Sequence, residues 1–301
     1  MISVCIPVYN RDVRPLVRTL AAQSAEVADG VELVCIDDAS DAAFRALNAE
    51  VAPSATLVQL EHNVGRARIR NLFLQHTHGD YMLFLDNDSI VPTGFLKAYA
   101  ALLPGGPQVV VGGRIYDRHS DDREHHLRYL YGTTAESRAA AQRASQPYRS
   151  FMTCNFMIRR EVLQRIPFDE RLGRYGHEDT LFGFRLQQQG VPVMHVDNPV
   201  VNGDVEDNAE FVRKTREGIA SLSQIYMFMC GDERFCRSVR LLTAYRHLQR
   251  RRLQGAAYGV FRMLRPQLES HFLSGEAISI RQFNFYKLGC FIGIQRNKCN
   301  Q

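Results

Sequence analysis

The segment that most constrains this chain is Tyr81–Ser89, which reads Y-M-L-F-L-D-N-D-S. Five apolar or aromatic residues run directly into two carboxylates that are one residue apart. An apolar run this short and continuous predicts a strand that is buried on both faces of a mostly parallel sheet. Asp86 and Asp88 then lie at its carboxyl end, which is the edge where open α/β sheets bind their ligands.

The spacing of these two acids points to a cation. Alternation along an extended chain places Asp86 and Asp88 on one side and Asn87 on the other. Two carboxylates on one side suit Mg2+ or Mn2+, and such a cation in turn suits phosphate. A solvated turn at a strand end would explain the same triplet, so the motif alone leaves both interpretations open.

Polar residues also follow two other predicted strands. The apolar run Ile2–Val8 leads to Asn10, and the run Val31–Ile36 leads to Asp37 and Asp38. Helix-forming segments separate these runs, so we expect a parallel sheet with helices on both faces. Polar side chains gathered at one edge of that sheet favour a nucleotide-binding crevice over a purely structural sheet.

Four predicted segments bear on how the chain is connected. Asn63 is expected to cap a helix that runs to His76. Gln108–Tyr116 and Phe151–Ile158 are each expected to form one strand. The polar segment 117–149 between them is interpreted either as a mobile insertion that contacts an acceptor or as a solvated loop.

A second pair of acids begins a predicted helix in Tyr175–Leu186, which reads Y-G-H-E-D-T-L-F-G-F-R-L. The helix dipole favours the ionised forms of Glu178 and Asp179 at this position. The pair is therefore either a favourable first turn or a catalytic acidic motif. His195 lies further along, on the apolar strand Val191–Val196, where a histidine is either packed and hydrogen-bonded or a metal ligand.

The chain resembles a known family in four motifs that occur in the expected order. They are S-V-C-I-P-V-Y-N, V-C-I-D-D-A-S, N-V-G-R-A-R-I-R-N and Y-M-L-F-L-D-N-D-S. Each is weak alone, but the ordered set resembles the nucleotide-binding half of a family 2 glycosyltransferase over residues 2–202. The resemblance implies the GT-A fold, an α/β doubly wound and mostly parallel sheet.

The same resemblance implies an activity and its cofactors. The expected donor is a nucleotide sugar, UDP-hexose, used together with Mn2+ or Mg2+. The expected acceptor is a hydroxyl of a glycan or of a lipid-linked saccharide, as in polysaccharide biosynthesis, with inversion at the anomeric carbon. Two alternatives are a non-catalytic GT-A scaffold and a nucleotidyltransferase, although the second class uses a Gly-rich loop that is not found after the first strand here.

Site residues follow from the resemblance by position. Asp179 matches the catalytic base, with Glu178 as the alternative, and Asp88 with Asp86 matches the metal-binding acids. His195 is a further candidate metal ligand, since a histidine completes the metal shell in several GT-A enzymes. Many relatives place that histidine shortly after the Asn-Pro turn, where this chain has Asn202, so water is the alternative third ligand. The residues expected at the donor are Pro7, Tyr9, Asp38, Arg70, Asp86 and Asn87. Asn71 completes the Arg-Asn pair that the family places near the nucleotide.

The positive charge of the chain is concentrated near its C-terminus. Nine arginines and no Asp, Glu or Lys occur from Arg234 to Leu268. Removing these nine from the 37 Lys and Arg leaves 28 against 32 Asp and Glu, a net of −4 on the rest of the chain. The helical pattern of this region predicts amphipathic helices, which either contact an anionic membrane face or pack on the catalytic domain with their arginines in solvent. Nucleic acid is not an expected partner, because no aromatic stacking platform accompanies the arginines.

These patterns predict a division into a GT-A domain, residues 1–205, and a helical region, residues 206–301. Within the first domain, residues 1–90 form the nucleotide-binding half and residues 91–205 the acceptor half. With 45% hydrophobic and 23% charged residues and no apolar stretch long enough to span a bilayer, the chain has the profile of a soluble protein. The N-terminus does not resemble a signal peptide, so we expect a cytoplasmic protein, peripheral at the inner face of the plasma membrane if the basic helices bind lipid. Seven cysteines without C-x-x-C spacing predict reduced thiols and no zinc site.

Overall fold

The computed structural model describes residues 1–118, 121–173, 175–276 and 278–299. The chain divides into two compact units. The first comprises residues 1–116, 136–173 and 178–204, and the second comprises residues 117–135, 174–177 and 205–301. The predicted division at residue 205 therefore misses two segments, 117–135 and 174–177, which belong to the second unit. Residues 119, 120 and 174 lie outside the described residues, so the structure says nothing of them.

The described residues of the first unit form ten strands in two sheets. They are β1 (Ile2–Val8), β2 (Val31–Asp37), β3 (Thr56–Gln59), β4 (Tyr81–Leu85), β5 (Ser89–Ile90), β6 (Val109–Val111), β7 (Arg114–Ile115), β8 (Asn155–Arg159), β9 (Val193–His195) and β10 (Val200–Asn202). The larger sheet has the order β3-β2-β1-β4-β8-β6-β9, and the smaller one the order β5-β10-β7. In the larger sheet only β8 runs antiparallel to its neighbours, β4 and β6. The expectation of a mostly parallel sheet is confirmed.

Thirteen α-helices are described along the chain. They are α1 (Arg14–Ser24), α2 (Ala42–Asn48), α3 (Arg66–His76), α4 (Phe95–Ala100), α5 (His126–Tyr131), α6 (Ala140–Ala144), α7 (Arg160–Arg165), α8 (Glu178–Gln188), α9 (Asn208–Phe228), α10 (Glu233–Ser238), α11 (Arg240–Arg250), α12 (Gln254–Ser274) and α13 (Ile280–Cys299). Helix α5 and helices α9 to α13 lie in the second unit, and the others lie in the first. Among the described helices, none combines the length and the apolarity that a bilayer span requires.

The central strand β4 is apolar throughout because both faces of the sheet are covered. Leu83 and Leu85 belong to one buried cluster, and Met82 and Phe84 belong to the other. Alternate residues of a strand point to opposite faces, so each residue of β4 contributes to one of the two cores. The strand ends at Leu85, and the backbone N–H of the next residue, Asp86, donates to Cys154 O at 3.2 Å.

The predicted strand Gln108–Tyr116 is wrong as a single element, because a glycine pair divides it. β6 joins the larger sheet and β7 joins the smaller one. Between them Gly113 has φ +95°, and a Cβ there would lie 2.7 Å from Arg143 Nη2. Gly113 thus provides both the left-handed backbone and the close approach that redirect the chain between sheets.

Two further bounds differ from prediction. Helix α3 begins at Arg66 with Gly65 at its N-cap, at φ +81°. Asn63 does not cap this helix; its Nδ2 donates instead to the carbonyl of Asp38 at 3.1 Å. Strand β8 begins only at Asn155, not at Phe151.

The second unit is held together by an aromatic core. The buried residues of this core are Leu127, Phe211, Val212, Phe261, Leu268, Phe272, Phe283 and Tyr286. Phe272 makes edge contacts with the rings of Phe283 and Tyr286, an arrangement that aromatic pairs favour. Because Leu127 comes from α5, the segment 117–135 is an integral part of this unit.

Candidate active site

Two arginines of α3 join the end of β4 to the start of α8. Arg70 Nη2 lies 3.2 Å from Asp86 Oδ1, and Arg70 Nη1 lies 3.7 Å from Glu178 Oε1. Arg66 makes the same bridge from its exposed side, with Nε 2.6 Å from Glu178 Oε1 and Nη2 3.7 Å from Asp86 Oδ1. Two acids that the sequence places far apart are therefore brought together.

A third arginine completes the surroundings of Asp86. Arg114 of β7 donates from Nη2 to Asp86 Oδ2 at 2.9 Å. Burial alone would raise the pKa of Asp86, but the positive charges of Arg66, Arg114 and Arg70 outweigh it and hold that pKa below its usual value. Asp86 is therefore a carboxylate with both oxygens engaged, and its charge is already balanced by guanidinium groups.

The three arginines differ in how far they reach toward solvent. The side chain of Arg70 is 2% exposed and that of Arg114 is 12% exposed, whereas that of Arg66 is 39% exposed. Arg66 is consequently the most accessible cation of the three.

The position of Arg70 does not fit the predicted contact with the donor. Its Nη1 donates to Arg66 O at 2.8 Å, and its guanidinium lies over the Phe168 ring, 5.9 Å from the centroid. The neighbouring Asn71 exchanges hydrogen bonds with the backbone of Phe168, at 3.0 and 2.9 Å. Arg70 and Asn71 therefore position the loop and the acids around them, because neither the burial nor the partners of Arg70 leave its guanidinium facing a ligand.

The two carboxyls at the start of α8 differ in pKa. Burial opposes the ionisation of Glu178, but Arg66 and Arg70 outweigh it, so the pKa of Glu178 is lowered. For Asp179, burial and the adjacent Glu178 charge together raise the pKa to about 6. Asp179 Oδ1 accepts a hydrogen bond from the Thr180 backbone N–H at 2.6 Å. Two neighbouring carboxyls in such different surroundings are characteristic of acid–base sites.

Asp38 follows β2, and its side chain binds the backbone that leads into α3. Its Oδ1 accepts from Val64 N at 2.7 Å and its Oδ2 accepts from Gly65 N at 3.1 Å. Burial raises the pKa of Asp38 in spite of these two hydrogen bonds. The side chain therefore orders the loop that leads to Arg66. At the end of β1, Tyr9 is 53% exposed and Pro7 is half-buried.

Asp88 and Asn87 occupy the turn after β4 and are both half-buried. The carbonyl of Asp88 accepts from Gly203 N at 2.9 Å, which ties this turn to the end of β10. Asp88 and Asp86 both act electrostatically on Arg114. Among the described residues, no group of three or more His, Cys, Asp or Glu could hold a metal ion. The donor set fits a cation that is held by one or two carboxylates together with substrate phosphates and water, as is usual for Mg2+.

His195 does not fit the predicted role of metal ligand. Its Nδ1 lies 2.8 Å from Arg143 Nη1, and its Nε2 lies 2.9 Å from Pro147 O. The first nitrogen can only accept from a guanidinium and the second can only donate to a carbonyl, so both are used within the fold. Burial and the charge of Arg143 lower the pKa of His195, which favours the neutral ring. We correct its assignment to that of a packed histidine.

Arg66 and Arg114 are the site residues that the sequence motifs did not identify. Arg66 belongs to the N-V-G-R motif, and its proximity to the Gly65 turn was a usable signal. Arg114 follows the glycine pair at positions 112 and 113, where Gly113 redirects the chain from β6 to β7, the strand that holds Arg114 beside Asp86.

The chain is similar in sequence to known glycosyltransferases. The family model described as Glycosyl transferase family 2 matches residues 3–167. An uncharacterized glycosyltransferase, YfnE of Bacillus subtilis (strain 168), is 23% identical over 274 residues, covering 74% of this chain and 70% of the relative. An uncharacterized glycosyltransferase of Haemophilus influenzae is 32% identical over 90 residues, covering 29% of each chain.

Solved structures show the same fold. Glucosyl-3-phosphoglycerate synthase from Mycobacterium tuberculosis in complex with Mg2+ and UDP matches with a TM-score of 0.52 and 22% identity, covering 74% of this chain and 78% of the other. Its complex with Mn2+, UDP and glucosyl-3-phosphoglycerate matches with a TM-score of 0.51 and 20% identity, covering 74% and 79%. The larger sheet is thus of the GT-A type. Because the family model matches more than half of the chain, the chain belongs to glycosyl transferase family 2.

Proposed function

We propose that this glycosyltransferase moves a hexose from UDP-hexose to a hydroxyl of a glycan or lipid-linked saccharide, with inversion at the anomeric carbon. The observation that carries the proposal is the divided acid pair, in which Glu178 is held ionised by arginines and Asp179 has a pKa of about 6. A UDP donor is supported by the structural neighbours, whose complexes contain UDP with Mn2+ or Mg2+.

Asp179 is the proposed catalytic base. A carboxyl with a pKa of about 6 is ionised near neutral pH yet remains a better proton acceptor than an ordinary aspartate. It takes the proton of the acceptor hydroxyl while that oxygen attacks the anomeric carbon opposite the leaving diphosphate. Glu178 is the weaker candidate because its Oε1 already accepts from Arg66 Nε at 2.6 Å.

Arg66 is the proposed partner of the donor diphosphate. It is the most exposed of the three arginines around Asp86. A guanidinium can meet two phosphate oxygens at once. Arg70 and Arg114 remain with Asp86 and hold the end of β4 in place, while Arg66 keeps its Nε bond to Glu178 and offers its terminal nitrogens to the diphosphate.

The proposed metal site centres on Asp88, with Asp86 as the nearest further carboxylate. A bound Mn2+ or Mg2+ would supply charge to the departing diphosphate. Because Asp86 is already engaged by three arginines, we assign the direct ligand role to Asp88 and an anchoring role to Asp86. Pro7, Tyr9, Asp38 and Asn87 are the proposed neighbours of the base and ribose.

Substitution of the proposed base tests this function. Asp179→Asn removes the proton acceptor but keeps the shape of the side chain, so we expect turnover to fall by roughly 10²–10⁴-fold with little change in UDP affinity. The readout is metal-dependent UDP release in a screen of nucleotide sugars, with UDP binding followed by calorimetry. Asp80→Asn is the matched control, because Asp80 precedes the opposite end of β4 and its side chain is 85% exposed. Near-normal turnover in Asp179→Asn, or no UDP release from any donor by the unsubstituted chain, would contradict the proposal.

A further inference from the structure

A basic and apolar surface lies at the start of α12 in the second unit. We call it the α12 surface and define it by Arg251, Arg252, Leu253, Val260, Arg262 and Met263. Its apolar side chains are unusually open, with Leu253 46%, Val260 46% and Met263 72% exposed. Large apolar side chains clustered on a surface mark an interaction site more often than scattered ones do.

Helical spacing aligns these apolar residues. Leu253 is the N-cap of α12, and Val260 and Met263 follow it at steps of seven and three residues, which places the three along one stripe. Exposed Ala256 and Gly259 lie between them and add no bulk that would cover the stripe. A different face of α12 carries the buried core residues Phe261, Leu268 and Phe272.

The arginines of the α12 surface differ from Arg237 and Arg250 of the preceding helices. Arg237 and Arg250 each form ion pairs with Glu233, at 3.1 and 2.9 Å. Arg251, Arg252 and Arg262 are exposed, and within the described parts of the chain none of them has an acidic partner. No acid occurs in the sequence from Arg234 to Leu268 that could compensate them locally.

We propose that the α12 surface docks on an anionic lipid bilayer. Leu253, Val260 and Met263 enter the boundary between headgroups and acyl chains, and the three arginines contact lipid phosphates from the rim. A second copy of this chain is a poorer occupant, because a two-fold interface would set the three uncompensated arginines against the same three. Docking of this kind is independent of the proposed sugar transfer and goes beyond it.

Vesicle co-sedimentation of the full chain tests the proposal. We expect binding to vesicles of phosphatidylcholine with phosphatidylglycerol, little binding to phosphatidylcholine alone, and weaker binding as salt is raised. Arg251→Gln with Arg252→Gln should weaken binding to the anionic vesicles by about tenfold or more, since each cation near the surface contributes to the attraction. Val260→Asp with Met263→Asp should weaken it at least as much.

Matched controls separate the surface from general charge and folding. Arg234→Gln with Arg237→Gln removes the same charge from α10, where these side chains already pair with Asp232 and Glu233. Leu273→Asp places a charge at the far end of α12, where Leu273 is 53% exposed. Both controls should bind like the unsubstituted chain, and circular dichroism should show all variants folded.

Three outcomes would overturn the proposal. The first is equal binding to neutral and anionic vesicles, or binding to neither. The second is equal loss of binding in the α12 variants and in their controls. The third is sedimentation velocity showing self-association that Val260→Asp with Met263→Asp abolishes, which would make the surface an interface between copies of this chain.

Discussion

At the scale of single residues, the raised pKa of Asp179 sets a pH dependence. Because burial and the Glu178 charge raise that pKa to about 6, the base form is lost as the pH falls below about 6. We expect kcat/KM to decline on the acidic side with a midpoint near that value, measured with saturating metal across pH 5 to about 8. The residual activity of Asp179→Asn should not show this acidic decline in kcat/KM.

The same shift fixes the sign of a stability effect. The folded pKa of Asp179 lies above its usual value of 3.8, so the fold favours the protonated carboxyl. This contribution is present below the unfolded pKa and is lost as the pH rises through about 6. Asp179→Asn should therefore not lower the melting temperature at pH 8, and a clear loss there would show that the side chain is structural.

Arg66 and Arg68 offer a matched pair on one helix. Arg66→Met should weaken UDP binding by roughly tenfold or more, because a charged hydrogen bond is worth about 1.5–3 kcal/mol. Arg68→Met should leave UDP affinity unchanged, since the Arg68 side chain is 58% exposed and its ion pair with Glu170 is long at 3.9 Å. Calorimetry with UDP, with and without Mn2+, measures both. Equal affinities in the two variants would remove Arg66 from the diphosphate site.

The sequence was informative about the acids of the site but not about their partners. Asp86 and Asp88 follow a buried strand and Glu178 and Asp179 begin a helix, and both positions can be read from local pattern. The contacts of Arg114 and His195 depend on the fold, because the first requires the redirection of the chain at Gly113 and the second requires Arg143 from α6. A histidine on a strand gives no local sign of whether its nitrogens are already hydrogen-bonded.

At the scale of elements, periodicity located most helices and strands, and failures came from tertiary packing. The run Gln108–Tyr116 has one apolar pattern yet serves two sheets. Helix α12 contains Pro266, a residue that commonly ends or kinks a helix, yet it continues to Ser274. Leu268 and Phe272 are buried beyond the proline, and their packing offsets the hydrogen bond that Pro266 cannot make.

We therefore expect that replacing Pro266 would stabilise the folded protein. Pro266 is exposed inside a helix, where proline is unfavourable by up to about 3 kcal/mol. Part of this cost is offset because proline restricts the unfolded chain and so lowers the entropy lost on folding. Pro266→Ala should raise the melting temperature by a few degrees, at roughly 2–4 °C per kcal/mol for a chain of this size. Gln267→Ala in the same turn is the control and should change it little. A lower melting temperature in Pro266→Ala would show that α12 needs the proline to pack.

At the scale of the whole molecule, deleting the C-terminal residues alone does not remove the second unit, because α5 also belongs to it. Leu127 is buried in the aromatic core, its N–H donates to Asn208 Oδ1 at 2.9 Å, and the Tyr131 ring contacts Phe211 and Phe283. Deleting residues 205–301 would expose the apolar side chains of α5. We expect such a truncation to aggregate or to bind a hydrophobic dye strongly.

A second truncation makes this expectation specific. Leu127→Ser with Tyr131→Lys in the shortened chain should restore solubility, because it removes the exposed apolar residues and leaves the first unit untouched. The same two substitutions in the full chain should instead destabilise it, as measured by thermal unfolding. A soluble, dye-free truncation without the substitutions would contradict the account of α5.

The carboxylate of Asp86, surrounded by Arg66, Arg70 and Arg114, has a consequence for how this lineage can drift. Substituting Asp86 alone would leave three guanidinium groups close together without their acid. Substituting one of the arginines alone would remove a contact that holds the end of β4. Neither step is neutral without the other. The four positions are therefore expected to vary together. A related chain with a different residue at position 86 should also differ at position 66, 70 or 114.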